Sequence, residues 1–303
     1  MKALVTGGCG FVGSHLVDRL IAEGHSVAAL DNLSSGKREN LNAKASLTQG
    51  DIADTALVET LVSQAEVVFH LAAIASVQVC EEQPEVAART NVTGTELIFK
   101  AAAKKQIPVI YASSAAVYGD NPDLPLSETS STTPLGNYGR HKLQNEAIAA
   151  ANKGAPSVGL RFFNIYGPRQ DARSPYSGVI SKFMSQAMAG KPLTFFGDGG
   201  QTRDFIYVAD IVSLLVQSWK HAQGCEVFNG CTGNQVSLKE LAEVILSVAG
   251  STSQTQHAPG RAGDIRHSLG SPLKASNILS FTAKKPLTEG LKALYESEAA
   301  GAA

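Results

Sequence analysis

The chain has 303 residues, 44% of them hydrophobic and 17% charged, with a formal net charge of -1, the profile of an ordinary globular protein of one large domain or two smaller ones. It has no run of like charges and no apolar stretch approaching a membrane span, so neither nucleic acid nor a membrane is an expected partner and recognition should be local, in a pocket. Cys9, Cys80, Cys225 and Cys231 form no CxxC pair and no ligand spacing with histidine, which argues against a metal or a disulfide framework and fits a reduced, cytoplasmic setting.

In chain order, short β-rich runs alternate with longer helical patterns. "KALVTG", "SVAALD", "SLTQGD", "EVVFHLA" and "PVIYASS" are separated by segments such as "FVGSHLVDRLIAEG" and "NVTGTELIFKAAAKK". The alternation predicts βαβ units and an α/β fold, with a Rossmann-like, doubly wound parallel sheet. The opening "MKALVTGG" is too short for a signal peptide. "SVGLRFFNIYG" continues the pattern, and "PRQDARSPYSG" then breaks it with proline, glycine and charge, which places a change of domain there. Further on, "VADIVSLLVQSWKHA" and "CEVFNGCT" predict a helix and a strand that return to the sheet. The expected division is a first domain over 1–167 plus a returning segment of about 205–230, and a smaller α/β domain over 168–204 and 231–303. The tail "ESEAAGAA" is expected to fray.

Two short stretches carry chemistry. After the first run comes "TGGCGFVGSHL", with Gly7, Gly10 and Gly13 ahead of an amphipathic segment and Asp31 at the end of the second run. Glycines so placed let the backbone turn, approach a pyrophosphate and present a helix N-terminus to it. The pattern predicts dinucleotide binding. Asp31 can accept from ribose hydroxyls and would repel a 2′-phosphate, which favours NAD over NADP, while Lys37 and Arg38 follow closely. The second stretch, "NYGRHK", spaces Tyr138 and Lys142 four residues apart in a helical segment, so both project from one face. A nearby ammonium favours phenolate over phenol. His15, His70 and His141 lack the clustering of a metal site, Cys9 reads as a small-residue replacement, and the lone Trp219 reads as packing.

The GxxGxxG spacing together with "YGRHK" resembles the extended branch of the short-chain dehydrogenase/reductase superfamily. Matching stretches run through nearly the whole chain: "DNLSSG", "GDI", "HLAA", "NVTGT", "SSAAVYG", "RFFNIYGP", "RDFIYVAD" and "RAGDIRHS". The resemblance implies that Gly7, Gly10, Phe11, Val12, Gly13, Asp31, Asn32, Ser35, Gly36, Asp51, Ile52, Leu71, Ala72, Ala73, Asn91, Ala112 and Phe162 surround NAD, Asp51 and Ile52 at the adenine. It casts Tyr138 as acid/base, Lys142 as the cation that lowers its pKa and binds the nicotinamide ribose, and Ser114 as partner of the reacting hydroxyl. Within the branch, dehydratases and decarboxylating relatives carry an acidic residue shortly after that serine, where this chain has Ala115 and Ala116. Alanine transfers no proton, so hydride return after the sugar rotates is the remaining chemistry. The chain therefore looks most like the UDP-sugar 4-epimerase family.

That family likeness implies a UDP-sugar site. Arg203, Arg261 and Asn164 would hold the diphosphate, Asp264 the uridine ribose, and Thr194 and Phe196 the uracil, with Ser76, Ser114, Val179 and Ser268 completing the wall. A small residue at Ser268 leaves room for an N-acetyl group at C2, which favours UDP-GlcNAc/UDP-GalNAc, with UDP-glucose/UDP-galactose still admitted. Three other readings stay open. A UDP-glucuronic acid 4-epimerase would want a cation such as Arg169 or Arg173. A net NAD(P)-dependent sugar-nucleotide oxidoreductase would exchange its cofactor each turnover. A silent NAD-binding protein would tend to lose the tyrosine or lysine, which are both present. The resemblance also implies a homodimer through a four-helix interface.

Overall fold

The computed structural model describes residues 1–171, 178–260 and 264–302, with the side chains of 301 and 302 left out. Its first half alternates strand and helix: β1 (Lys2–Thr6), α1 (Phe11–Ala22), β2 (Ser26–Asp31), β3 (Ser46–Gln49), α2 (Thr55–Gln64) and β4 (Val67–His70). Two short helices follow, α3 (Val77–Glu82) and α4 (Pro84–Ala88), then a π turn over Arg89–Thr93 that runs into α5 (Gly94–Lys105). After β5 (Val109–Ser114) come α6 (Asn137–Ala151), β6 (Ser157–Phe162) and β7 (Asn164–Tyr166). The remainder comprises α7 (Val179–Met188), β8 (Leu193–Phe196), β9 (Thr202–Arg203), β10 (Phe205–Tyr207), α8 (Val208–His221), β11 (Cys225–Gly230), β12 (Val236–Ser237), α9 (Leu238–Ala249), β13 (Thr255–Ala258), α10 (Leu273–Leu279) and α11 (Leu287–Ala302).

Seven strands form one sheet in the order β11-β6-β5-β4-β1-β2-β3, and every neighbouring pair is parallel. Strands buried on both faces need continuous apolar runs rather than alternation, and β4, with all four residues buried, shows this. One apolar cluster joins the sheet to α1 and α8 through Leu16, Leu20, Phe69, Leu214 and Phe228. The opposite face buries Leu30, Val58, Val68, Ile98 and Phe99 against α2 and α5. This is a Rossmann-like α/β fold. Strand order reverses between β1 and β4, so the ends of β1, β2, β4 and β5 open onto one crevice, where such sheets bind ligands.

A separate apolar cluster, with Phe183, Met184, Phe195, Leu241, Ile245 and Leu291, packs α7, α9 and α11 around β8. There the strands pair only two at a time, β10 with β7, β12 with β9 and β13 with β8. Local caps define these helices. At α9, Ser237 accepts from the Glu240 backbone while the Glu240 carboxylate accepts from that of Ser237, a reciprocal capping box.

Candidate active site

All the residues expected along the dinucleotide from Gly7 to Ala73 line one cleft of about 430 Å³ at the crevice. Its floor needs glycine. Gly7 has φ +71°, and a Cβ on Gly13 would stand 2.0 Å from the Gly7 carbonyl oxygen. The N-terminus of α1, capped by Gly10, carries no capping side chain and no acid in its first turn, so its N–H groups stay free for an anion. Asp31 accepts from the backbone of Cys9 at 2.9 Å and Leu33 at 2.8 Å, using part of a carboxylate's capacity and leaving lone pairs for ribose hydroxyls. A Cβ-free loop, an uncommitted helix terminus and an acceptor at the next strand end fit a dinucleotide. Arg89, which belongs to none of the sequence motifs, also lines the cleft. Although burial acts to raise the Asp51 pKa, the hydrogen bonds from the Ala53 backbone and from Arg89 hold it below its usual value.

Behind the cleft, a hydrogen-bonded chain sets the end of β4. The Thr6 hydroxyl accepts from the backbone of Leu71 and Ala72, both at 3.2 Å, and lies 2.8 Å from His70 Nδ1. Both of its lone pairs are then used, so its proton goes to Nδ1. The imidazole therefore carries its own proton on Nε2, 2.9 Å from Thr95 Oγ1, and Thr95 donates to the Asn91 carbonyl at 2.7 Å. Burial, and then the charge of Lys142, push His70 down to about 3, so it stays neutral. Asn91 sits in the π turn, not facing the cleft, and its side chain brackets Ile74, accepting from its N–H at 2.8 Å and donating to its carbonyl at 3.0 Å.

Ser114 ends β5 and caps the following turn by accepting from the Ala116 backbone at 3.2 Å. Tyr138 is the second residue of α6, and Lys142 follows one turn later with its ammonium 5.7 Å from the centre of the Tyr138 ring. Lys142 is buried and donates to the Ala112 carbonyl at 2.8 Å. Burial pushes the Tyr138 phenol up to about 12, opposed by its hydrogen bond with Ser114, and brings Lys142 down to about 8. The sequence expectation has Lys142 lowering the tyrosine. In the protein by itself burial dominates, and the group that opposes it is Ser114 rather than Lys142.

Ser114 and Tyr138 face a second cleft, of about 520 Å³, whose wall also includes Phe162, Asn164, Arg203, Asp264 and Ser268. Arg203 pairs with Asp264 at 2.9 Å. Four residues expected at the substrate stand outside its described wall. Ser76 caps α3 by accepting from Val79 at 3.1 Å, and Val179 opens α7. The Thr194 hydroxyl accepts from Gln256 at 2.9 Å, and Phe196 pairs with Ala258 in the β8–β13 ladder. Arg261 and Arg173 lie outside the described residues. Arg169 pairs with Asp18 on α1 at 2.8 Å rather than lining this cleft. Val77, Leu135 and His267, which no motif singles out, also line it.

A family model described as the NAD dependent epimerase/dehydratase family matches residues 3–229. The chain belongs to that family. A UDP-glucose 4-epimerase of Mycolicibacterium smegmatis is 36% identical over 307 residues, covering 98% of both chains. Among solved structures, the UDP-glucose 4-epimerase of Thermotoga maritima with UDP-glucose matches with a TM-score of 0.96 at 36% identity, over 100% of both chains. A UDP-N-acetylglucosamine 4-epimerase from Methanobrevibacter ruminantium in complex with UDP-N-acetylmuramic acid matches with a TM-score of 0.95 at 36% identity, over 99% of this chain and 98% of that one.

This epimerase/dehydratase family member is an NAD-dependent enzyme. Beneath its clefts lies a buried ionic network that the sequence motifs did not announce. Glu146, two turns beyond Tyr138 on α6, takes both Arg161 Nε at 2.9 Å and Nη2 at 2.7 Å, and also accepts from Ser113 at 2.6 Å. Arg161 reaches on to the Tyr118 hydroxyl at 2.9 Å, which donates to Asn229 at 2.7 Å. The network fastens α6 to β5, β6 and β11, with one member next to Ser114. Among the described residues no group of three or more His, Cys, Asp or Glu side chains is placed to hold a metal ion, and no helix is long and apolar enough to cross a membrane.

Proposed function

We propose that the enzyme interconverts the C4 epimers of a UDP-hexose, with UDP-GlcNAc/UDP-GalNAc favoured and UDP-glucose/UDP-galactose accepted. The observation that carries this reading is the placement of the second cleft at the end of β5, next to β4, whose end lines the first. Ser114 and Tyr138 stand there, while Arg203, Asn164 and Asp264 share their wall. A nucleoside diphosphate sugar laid along the second cleft puts its hexose at the phenol and its phosphates at the guanidinium, a group suited to phosphate oxygens.

In this scheme Tyr138 removes the proton from O4, Ser114 holds that oxygen in place, and Lys142 stabilises the phenolate and seats the nicotinamide ribose. NAD, when bound, supplies reversible hydride acceptance at C4 and a positive charge beside the phenol. Tyr138 keeps its proton while the 4-keto sugar turns over to present the opposite face of C4 to the cofactor side, then returns that proton to O4. Ala115 and Ala116 flank Ser114 in the cleft, so no carboxylate there diverts the ketone into elimination. The wall near Ser114 and Tyr138 includes Val77, Leu126 and Leu135, and among the described lining residues Arg203 is the one with a permanent positive charge. An acetamide suits such a wall better than a carboxylate does.

The remaining site assignments belong to the same proposal: Asn91 and Ala112 support the cofactor, while Ser76, Val179, Thr194, Phe196 and Arg261 approach the substrate when it is bound. So does the division into a dinucleotide domain, 1–167 with the segment of about 205–230, and a UDP-sugar domain. The chain acts in the cytoplasm, in keeping with four free cysteines, and as a homodimer. Gln144, Ala147 and Ala151 leave an exposed, largely small-residue strip on α6 for a partner helix. The test is incubation of the purified protein, without added cofactor, with UDP-GlcNAc and with UDP-glucose. UDP-GalNAc forming to a stable equilibrium is expected. If UDP-galactose alone appeared, the epimerase reading would stand and the argument from Ser268 would fall.

A further inference from the structure

The helix that carries Tyr138 does not cap itself. Its N-cap is Gly136, it has no side-chain cap, and its first turn contains no acid. The missing partner comes from α3. Glu81 Oε1 accepts the Asn137 backbone N–H at 2.6 Å, Glu81 Oε2 accepts from the Asn137 side chain at 3.1 Å, and that same amide donates to the Cys80 carbonyl at 3.2 Å. The approach is close enough that a Cβ on Gly136 would sit 2.8 Å from Glu81 Oε1. The opposite end of α3 stands at the substrate cleft, where Val77 lines the wall and is 55% exposed. Cys80 also receives the Asn91 amide at 3.7 Å, so α3 is held to the π turn as well.

We propose that Glu81 is a positioning residue for Tyr138, clasping α6 from α3 so that substrate seated against Val77 and the phenol that acts on it are held by one rigid piece. An acid at a helix N-terminus is favoured by the helix dipole and by the unpaired N–H groups. Here that acid is borrowed from the element forming the cleft lip. The inference rests on Tyr138 being the acid/base of the proposed reaction.

Four variants test it by steady-state epimerisation with thermal unfolding in parallel. Glu81→Ala should lower kcat roughly tenfold, with KM within about twofold of wild type, because misplacing a catalytic group costs rate rather than binding. Asn137→Asp keeps a good helix-start residue but sets a second carboxylate against Glu81, and should lose kcat similarly. The double variant Glu81→Gln with Asn137→Asp restores an amide facing a carboxylate across α3 and α6, although the bond to the Cys80 carbonyl stays lost, and should recover part of that loss. Full kcat in Glu81→Ala, a loss carried equally by KM, or a double variant no better than Asn137→Asp alone would each overturn the proposal. Tyr138→Phe separates the two readings: if it keeps turnover, the acid/base assignment itself has failed, whatever Glu81 does.

Discussion

The cleft at the glycine loop and the cleft at Tyr138 are held in different ways. On the cofactor side the strand ends are fixed by internal hydrogen bonds, Asp31 to Cys9 and Leu33, Thr6 to His70, Leu71 and Ala72, Asn91 to Ile74, while the N-terminus of α1 carries no capping side chain. On the substrate side Arg203 is paired with Asp264, and the exposed ion pair of Arg266 with Asp198 joins the 198–200 loop to the 264–268 segment. An anion arriving there meets a guanidinium that already has a carboxylate partner. The cofactor side is therefore preorganised in its backbone, so filling it costs little conformational freedom, whereas the other side holds its guanidinium in an internal ion pair.

The comparison can be broken most forcefully at the network under both clefts. Glu146→Ala leaves the Arg161 guanidinium buried without its carboxylate, and removing one partner of a buried pair typically costs about 3–5 kcal/mol. A fall of several degrees in Tm, with kcat lowered in the folded fraction, is the expected outcome. An unchanged Tm would show that the network is not what holds α6. Arg203→Ala should act next most strongly, raising KM for the UDP-sugar roughly tenfold or more through loss of a charge-assisted contact, with Tm little altered. A change in kcat alone would remove Arg203 from the diphosphate. The smallest effect is a pH slope. His70 has an ordinary value of 6.5 and is brought to about 3 by burial, so folding favours its neutral form. The stability this preference contributes is complete above about 6.5 and is lost as pH falls toward 3. Wild type should therefore lose Tm over that window more steeply than His70→Gln does; parallel curves would show that His70 is not buried neutral.

The parts legible in the sequence are those fixed by local spacing. Three glycines at three-residue intervals after a strand, and a tyrosine and lysine one turn apart, each demand a particular backbone, and the sheet brings their elements to one crevice. What was not legible depends on contacts distant in sequence. Glu81 meets Asn137 across 56 positions and Arg203 meets Asp264 across 61, and neither motif contains a trace of its partner. Thr194 and Phe196 fall in a two-stranded ladder with β13, where side-chain direction is set by pairing that periodicity does not reveal. The π turn at Asn91 is similarly silent, because one extra residue in a helical turn leaves the apolar pattern almost unchanged.

In the proposed reaction one hydride leaves C4 and returns to the same carbon within a single active site. The most direct measurement follows UDP-GlcNAc carrying deuterium at C4 through epimerisation by the purified enzyme, in ordinary water and without added cofactor. The expected product is UDP-GalNAc with the deuterium still at C4 and no build-up of reduced cofactor in solution. Product that has exchanged its label for solvent hydrogen, or stoichiometric release of reduced cofactor, would contradict it.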